Sequence, residues 1–373
     1  MKKLNKSVLG LFYPYISKNT WKSLKKQLLT RWIGQGPMVD KFEKKFSKMF
    51  LNNKKCVAVG SGTDALHLAY ILAGIKKDDE VIAPVFTCAA TSIPLLYIGA
   101  KIRFADVDPR TMNICCKSIE KLISKKTKAI IVVHYGGVAC DLDKIIKITE
   151  KYNIKIIEDA AQALGGKYKN KNIGTISDFT IFSFQAIKHI TTGDGGMLAI
   201  KNQKLIEKAK RLRWFGVERN KKNERWKNDI REIGFKYQMT DIAATIGYDA
   251  LLEFKENITH RKKIYKTYYD ILRDNKKVKC LTSDEIRNDA AWLFTIILEK
   301  KDYLQKKLKE LNIETGQVHF RNDKYSIFKK YARNQKFKIM DSLEKKYLVL
   351  PVHNKITVSI AKKIAKKINE LIY

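Results

Sequence analysis

From about residue 55 to residue 200, short apolar runs alternate with stretches of helical periodicity, and this alternation limits the folds open to the chain. The runs are Val57-Ala58-Val59, Glu80 to Val85, Lys101 to Val107, Ala129 to Val133, Lys155 to Ile157, Phe179 to Phe184 and Met197 to Ile200. Asp64 to Gly74, Ala89 to Tyr97 and Asp141 to Tyr152 read as helices between them. A strand flanked by helices on both sides is buried on both faces and reads as nearly continuous apolar sequence. The pattern therefore predicts an α/β fold: a large domain with a mostly parallel mixed sheet flanked by helices. Ligands of such sheets sit at the carboxyl ends of the strands.

Beyond residue 200 the pattern changes. Asn202 to Asp274 reads mostly helical, interrupted by a Lys/Asn-rich loop at Asn220 to Asn228 that is expected to be mobile. A strand at Leu293 to Leu298, a helix at Tyr303 to Leu311 and an amphipathic helix at Ile360 to Ile372 follow. We expect residues 1–256, with the N-terminal segment, to form the large domain, and residues 257–373 a smaller α+β domain.

With 373 residues and 45% hydrophobic content, the chain has ample material for two cores. No apolar run reaches the length of about 18 residues that spans a bilayer. The apolar patch Val8 to Tyr13 is short, ends at Pro14 and lacks a small-residue cleavage site, so a secretory signal is not expected. Six scattered cysteines without a C-x-x-C pair fit reduced thiols rather than a disulfide frame or a metal site, and the expected location is cytoplasmic. The net charge is +36, but the lysines are spread along the whole length, and no zinc-finger, RNP or helix-turn-helix motif is among them. That points to attraction of anionic small molecules, not to nucleic acid or membrane.

Three motifs carry chemistry. Gly60-Ser61-Gly62-Thr63-Asp64 follows a strand and opens a helix, where free backbone N–H groups favour a phosphate; the same residues also serve as an ordinary cap. Asp159 lies at the end of a buried strand in Glu158-Asp159-Ala160-Ala161-Gln162. A carboxylate there can keep a pyridine nitrogen protonated, with Gln162 one helical turn on. Glu158 competes for that role. Ser183-Phe184-Gln185-Ala186-Ile187-Lys188 then delivers a hydroxyl and a lysine before Gly193-Asp194-Gly195-Gly196. An apolar, Gly-flanked lysine has a lowered pKa and becomes a usable nucleophile.

Taken in this order, the motifs resemble the DegT/DnrJ/StrS family of pyridoxal phosphate (PLP)-dependent sugar aminotransferases, from Gly34-Gln35-Gly36-Pro37 to the C-terminus. The resemblance implies the fold-type I aminotransferase architecture and PLP/PMP as cofactor. It implies that Lys188 forms the Schiff base, that Asp159 faces the ring nitrogen and that Gln162 lies near the ring hydroxyl. Ser183, Gly62 and Thr63 would hold the phosphate. The stretch Gly234 to Asp241 would reach the neighbouring subunit, implying a homodimer with shared active sites. Lys236 stands where the family commonly has an asparagine, and would touch the partner's phosphate as a point charge. A second departure is Cys88, found after Pro84-Val85-Phe86-Thr87 where an aromatic usually covers the ring; either Cys88 packs there or Phe86 shifts to do so. His319 and Arg321 are candidates for sugar-nucleotide contacts, with a core role the alternative for His319. Trp214 is expected in the core, and His189 as a structural residue.

The implied reaction is transamination from an amino acid, by resemblance L-glutamate, to a nucleotide-linked keto-sugar, with a 4-keto-6-deoxyhexose preferred and a 3-keto sugar second. Family dehydratases that use PMP carry histidine in place of the lysine; a filled position 188 argues for amino transfer. A regulatory member without chemistry is the third reading.

Overall fold

The structure is a computed structural model that describes residues 7–218, 228–281, 287–333 and 335–373. Its centre is a sheet of β1 (Cys56–Val59), β2 (Glu80–Pro84), β3 (Lys101–Ala105), β4 (Thr127–Val133), β5 (Lys155–Asp159), β8 (Phe179–Ser183) and β9 (Gly196–Ile200). The strands β6 (Lys167–Tyr168) and β7 (Lys171–Asn172) form a short hairpin outside it. The order is β1-β9-β8-β5-β4-β2-β3. Strands β3, β2, β4, β5 and β8 run parallel, and β9 is antiparallel to both of its neighbours. This is the mostly parallel mixed sheet expected from the alternation.

Side chains along each strand part to opposite faces with a period of two. Val57, Val59, Val81, Ala83 and Ile131 enter one core, and Ala58, Ile82, Ile130 and Val132 enter the other. Both faces are thus dry, which explains the unbroken apolar runs in the sequence. Strands expected to reach Val85 and Val107 stop at Pro84 and Ala105. Beyond them the chain turns into the loops at the carboxyl edge. β5 runs two residues further than expected, so Glu158 and Asp159 are its last strand positions.

The region after Asn202 departs most from expectation. Helices cover Ile206–Arg213, Asp241–Leu252 and Phe254–Leu272, but the chain before Asp241 is extended. It makes single bridges from Lys236 to Trp214 and from Gln238 to Val59. Two backbones cross closely at Gly216 and Gly234, where a side chain on Gly234 would overlap Gly216 N. Residues 219–227, which hold nearly all of the loop expected to be mobile, lie outside the described residues.

A second sheet of β10 (Lys279–Cys280), β12 (Phe294–Ile297) and β13 (Tyr347–Leu350) is antiparallel, while β11 (Arg287–Asn288) pairs with β6. Helices Phe254–Leu272, Lys301–Glu310 and Val358–Leu371 cover the second sheet and share its core through Ile264, Tyr268, Leu304, Leu308, Ile364 and Ile368. The expected division at 256/257 falls in the first turn of Phe254–Leu272. The N-terminal segment touches both cores: Leu11 lies in a core of the large sheet, while Leu9 is buried in the core of the second sheet and bridges to Ile313, and Leu11 N–H donates to Glu314 Oε2 at 2.9 Å. An apolar Leu9 gains cover there that a free strand would lack. No helix among the described residues is long and apolar enough to cross a membrane.

One carboxylate ties the early helices to the late ones. Asp241, 1% exposed, accepts the N–H groups of Gly36 (2.8 Å), Met38 (3.0 Å) and Val39 (3.0 Å) at the start of helix Pro37–Phe50. These N–H groups have no acceptor within their own helix, and negative charge suits that end. Asp241→Ala leaves all three without that acceptor, Val39 N–H buried and the other two half-buried. We expect a loss of about 3 kcal/mol of stability, read as a lower denaturant midpoint at unchanged slope, with Asp241→Asn between the two.

Candidate active site

A cavity of about 330 Å³ opens at the carboxyl ends of β2, β5 and β8, and its wall includes Gly62, Cys88, Asp159, Gln162, Ser183 and Lys188. These residues come from four segments of the chain, those at the ends of β1, β2, β5 and β8.

Strand alternation decides between the two acids of β5. Asp159 faces the cavity. Its Oδ2 accepts from Thr91 Oγ1 at 2.7 Å, and its Oδ1 accepts from Ala161 N–H at 3.1 Å. Thr91 is set in turn by Thr87 Oγ1 at 2.8 Å. Burial pushes the Asp159 carboxyl above the usual range, against the pull of these hydrogen bonds and of the nearby Lys188 charge. Glu158 points the other way. It accepts from His134 Nε2 at 2.8 Å, Ser177 N–H at 3.2 Å and Thr180 Oγ1 at 3.2 Å. His134 Nδ1 accepts from Cys140 N–H at 3.1 Å, which leaves its proton on Nε2 for Glu158. Glu158 is therefore fully occupied beneath the sheet, and only Asp159 is offered to a ligand.

Lys188 is clamped from both sides by the C-terminal half. Trp292 Nε1–H donates to Ile187 O at 3.0 Å, and Asn257 Nδ2–H donates to His189 O at 2.6 Å. His189, the expected structural residue, is buried and bonds Ala290 O through Nε2 at 2.7 Å. The Lys188 Nζ stands 4.2 Å from the centre of the Trp292 ring. Burial lowers the Lys188 amine to about 8, with Asp159 and then Cys88 opposing the shift. Near neutral pH a useful fraction of this amine is unprotonated, unlike a surface lysine.

The third wall is the start of helix Gly62–Leu72, whose Ser61 cap accepts Asp64 N–H at 3.0 Å. A Cβ on Gly62 would stand 3.0 Å from Ser183 Cβ, and one on Gly196 would overlap Ser61 O. The two glycines let the helix end press onto β8 and β9. Gly62 and Thr63, in the first helical turn where backbone N–H groups lack acceptors within the helix, line the cavity beside Ser183. An anion at that end, an acid-bound nitrogen at Asp159 and a carbonyl carbon at Lys188 describe a group such as PLP. The donor set fits it.

Other expected residues fall in varied places. Cys88 lines the cavity as the residue before helix Ala89–Ile98. Phe86 does not shift to cover a ring there: it is buried against Tyr135, His319 and Tyr347 at 5.0, 5.7 and 5.3 Å between centroids. Gln162 lines the cavity from a turn and not, as expected, from a helix. Its Oε1 accepts Gly136 N–H at 2.7 Å, which aims its Nε2 at His319 Nε2, 2.9 Å away. His319 lines the same wall, and burial, then the Lys188 charge, lowers it to about 3. Arg321 is not brought to the cavity. Its guanidinium is 3% exposed and is held by Asp323, Asp341 and Glu344, so it has no face left for a nucleotide. Lys236 also lies outside this cavity, with Nζ 3.6 Å from the ring centre of the half-buried Trp214.

Sequence reading missed Thr91, Trp292, Asn257 and Phe12, which also lines the cavity. Thr91 had a local signal, four residues after Thr87 at a helix start. The others meet Lys188 or its wall only through the fold.

The coupling of Lys188 to Asp159 has a measurable sign. In apoprotein, pH-dependent acylation of Lys188, read on its peptide by mass spectrometry, should be half-maximal near pH 8. Asp159→Asn removes the neighbour that favours the ammonium, so the half-point should move down.

Comparison with known proteins follows the same lines. The sequence profile of the DegT/DnrJ/EryC1/StrS aminotransferase family matches residues 14–369. The UDP-4-amino-4,6-dideoxy-N-acetyl-beta-L-altrosamine transaminase of Campylobacter jejuni (strain 81-176) is 34% identical, over 91% of this chain and 90% of that protein. The GDP-perosamine synthase of Caulobacter vibrioides is 36% identical over 78% of each chain. The crystal structure of the sugar aminotransferase CalS13 from Micromonospora echinospora superposes with a TM-score of 0.92 at 26% identity, covering 97% of this chain and 99% of that one. On profile, relatives and fold together, the chain belongs to the DegT/DnrJ/EryC1/StrS aminotransferase family.

Proposed function

We propose that this PLP-dependent aminotransferase moves an amino group from an amino-acid donor, L-glutamate, to the keto carbon of a nucleotide-linked sugar. The observation that carries the reading is the meeting of Lys188, Asp159 and the helix start at Gly62 in one cavity. When bound, PLP supplies a protonated ring that withdraws electrons from the carbon beside the reacting nitrogen. Asp159 would keep the ring nitrogen protonated, a task that also restores its own charge after burial. Ser183, Gly62 and Thr63 would hold the phosphate, and Cys88 and Gln162 would border the ring. Lys188 would hold the aldehyde carbon at rest. Once released, its Nζ takes the proton from the donor's α-carbon and returns one at the acceptor side. His319, kept neutral by burial, serves as an acceptor for the Gln162 amide and not as an acid.

The acceptor we favour is a 4-keto-6-deoxyhexose on a nucleoside diphosphate. The Campylobacter relative's name specifies a UDP-linked 4-amino-4,6-dideoxy sugar, and the Caulobacter relative's a GDP-linked sugar, perosamine. A net charge of +36 would draw such anions from solution. We also propose a homodimer in which the extended segment before Asp241 carries Lys236 to the partner's phosphate.

The direct test is L-glutamate plus a panel of nucleotide keto-sugars, read by product mass. A product carrying the donor's nitrogen is expected, with a 4-keto substrate best; a deoxy sugar without new nitrogen would sink the proposal. Lys188→Ala should lower turnover by about 10²–10⁴-fold and abolish the absorbance band formed with PLP. Lys236→Ala should weaken PLP binding about tenfold while leaving the half-point of Lys188 acylation where it was. Unchanged PLP binding would remove Lys236 from the site.

A further inference from the structure

Trp292 does more than fill the wall of the cavity. It is 2% exposed and fixed in place by two contacts. Its Nε1–H donates to Ile187 O at 3.0 Å, and its ring stacks on Phe12 at 5.6 Å and 27°. Phe12 is itself anchored through its neighbour Leu11 to Glu314. Against this immobilised ring stands the Lys188 Nζ, 4.2 Å from the centroid. The face of an indole is its electron-rich side and attracts an ammonium, most strongly where water is excluded.

We propose that Trp292 is a positioning residue for Lys188, and that its ring face holds the protonated amine during the part of the cycle in which the amine is not bonded to the cofactor. This rests on Lys188 being the cofactor amine, as argued above. The cycle requires a parking place of this kind. A released ammonium beside a carboxylate would be drawn toward it, yet Asp159 is needed at the ring nitrogen and is already bonded by Thr91 and Ala161. An indole face attracts the charge but cannot accept the proton, so the amine leaves it without a change of protonation. The same indole fixes the Ile187 carbonyl, so the distance between backbone and ring is set by one residue. The other titratable groups on this cavity are Asp159 at the end of β5, Cys88 before helix Ala89–Ile98, Asp194 in the turn before β9, and His319 from the C-terminal half.

The experiment reads Lys188 in apoprotein, by the acylation half-point, after biosynthetic replacement of tryptophan with mono-, di- and trifluorinated analogues. Fluorine drains the ring face and leaves the shape and the N–H nearly unchanged. The half-point should fall stepwise, by about 0.5–1 pH unit in all. In Trp292→Phe protein it should start lower than in wild type and no longer respond to fluorination, which assigns the effect to position 292 among the five tryptophans. A half-point that stays fixed across the fluorinated series, at an unchanged denaturation midpoint, overturns the role of Trp292 while PLP uptake remains. Failure of unsubstituted protein to take up PLP overturns the reading of Lys188 instead.

Discussion

An amine and a carboxyl group share one water-poor cavity, and the architecture around them follows from that demand. Neither Lys188 nor Asp159 has a partner of opposite charge within hydrogen-bonding reach among the described contacts, so burial displaces both from their ordinary ionisation. A charged pair in contact would satisfy itself and leave nothing for a ligand. The fold holds them apart instead. It spends a threonine and a backbone N–H on the acid, and two side-chain clamps on the backbone of the lysine. Sites of this kind are stable only where the surrounding structure fixes every neighbour.

The sheet supplies much of that rigidity. Because β5 is buried on both faces, its last two residues must point to opposite sides, and one of two adjacent acids is committed to His134 while the other meets the cavity. Because Gly62 and Gly196 lack side chains, the helix after β1 can rest directly on β8 and β9. The phosphate end and the amine end of the site are thereby set by the same two strands.

How much of this was legible from sequence follows the range of the interactions. The parallel sheet and the motifs at Gly62, Asp159, Ser183 and Lys188 could be read because each depends on neighbours within a few residues. Gln162 lines the cavity from a turn, where the spacing suggested a helix. Arg321 became a candidate through the stretch that resembles the family's substrate contacts, and nothing local showed that Asp341 and Glu344, 20 and 23 residues on, enclose it. Trp292 and Asn257 left no local signal. Their partners are 105 and 68 positions away, and no spacing rule spans that distance.

The strap at the N-terminus carries a temporal consequence. Its residues leave the ribosome long before their partners, for Leu9 pairs with Ile313, Leu11 with Glu314, and the Gly10 carbonyl with His353. Phe12 can take its place against Trp292 only once the chain has been made past residue 292. The large sheet, complete by Ile200, can assemble long before that. A nascent chain would therefore hold a formed sheet with an unfinished cavity until the segments that carry Trp292 and His319 have emerged.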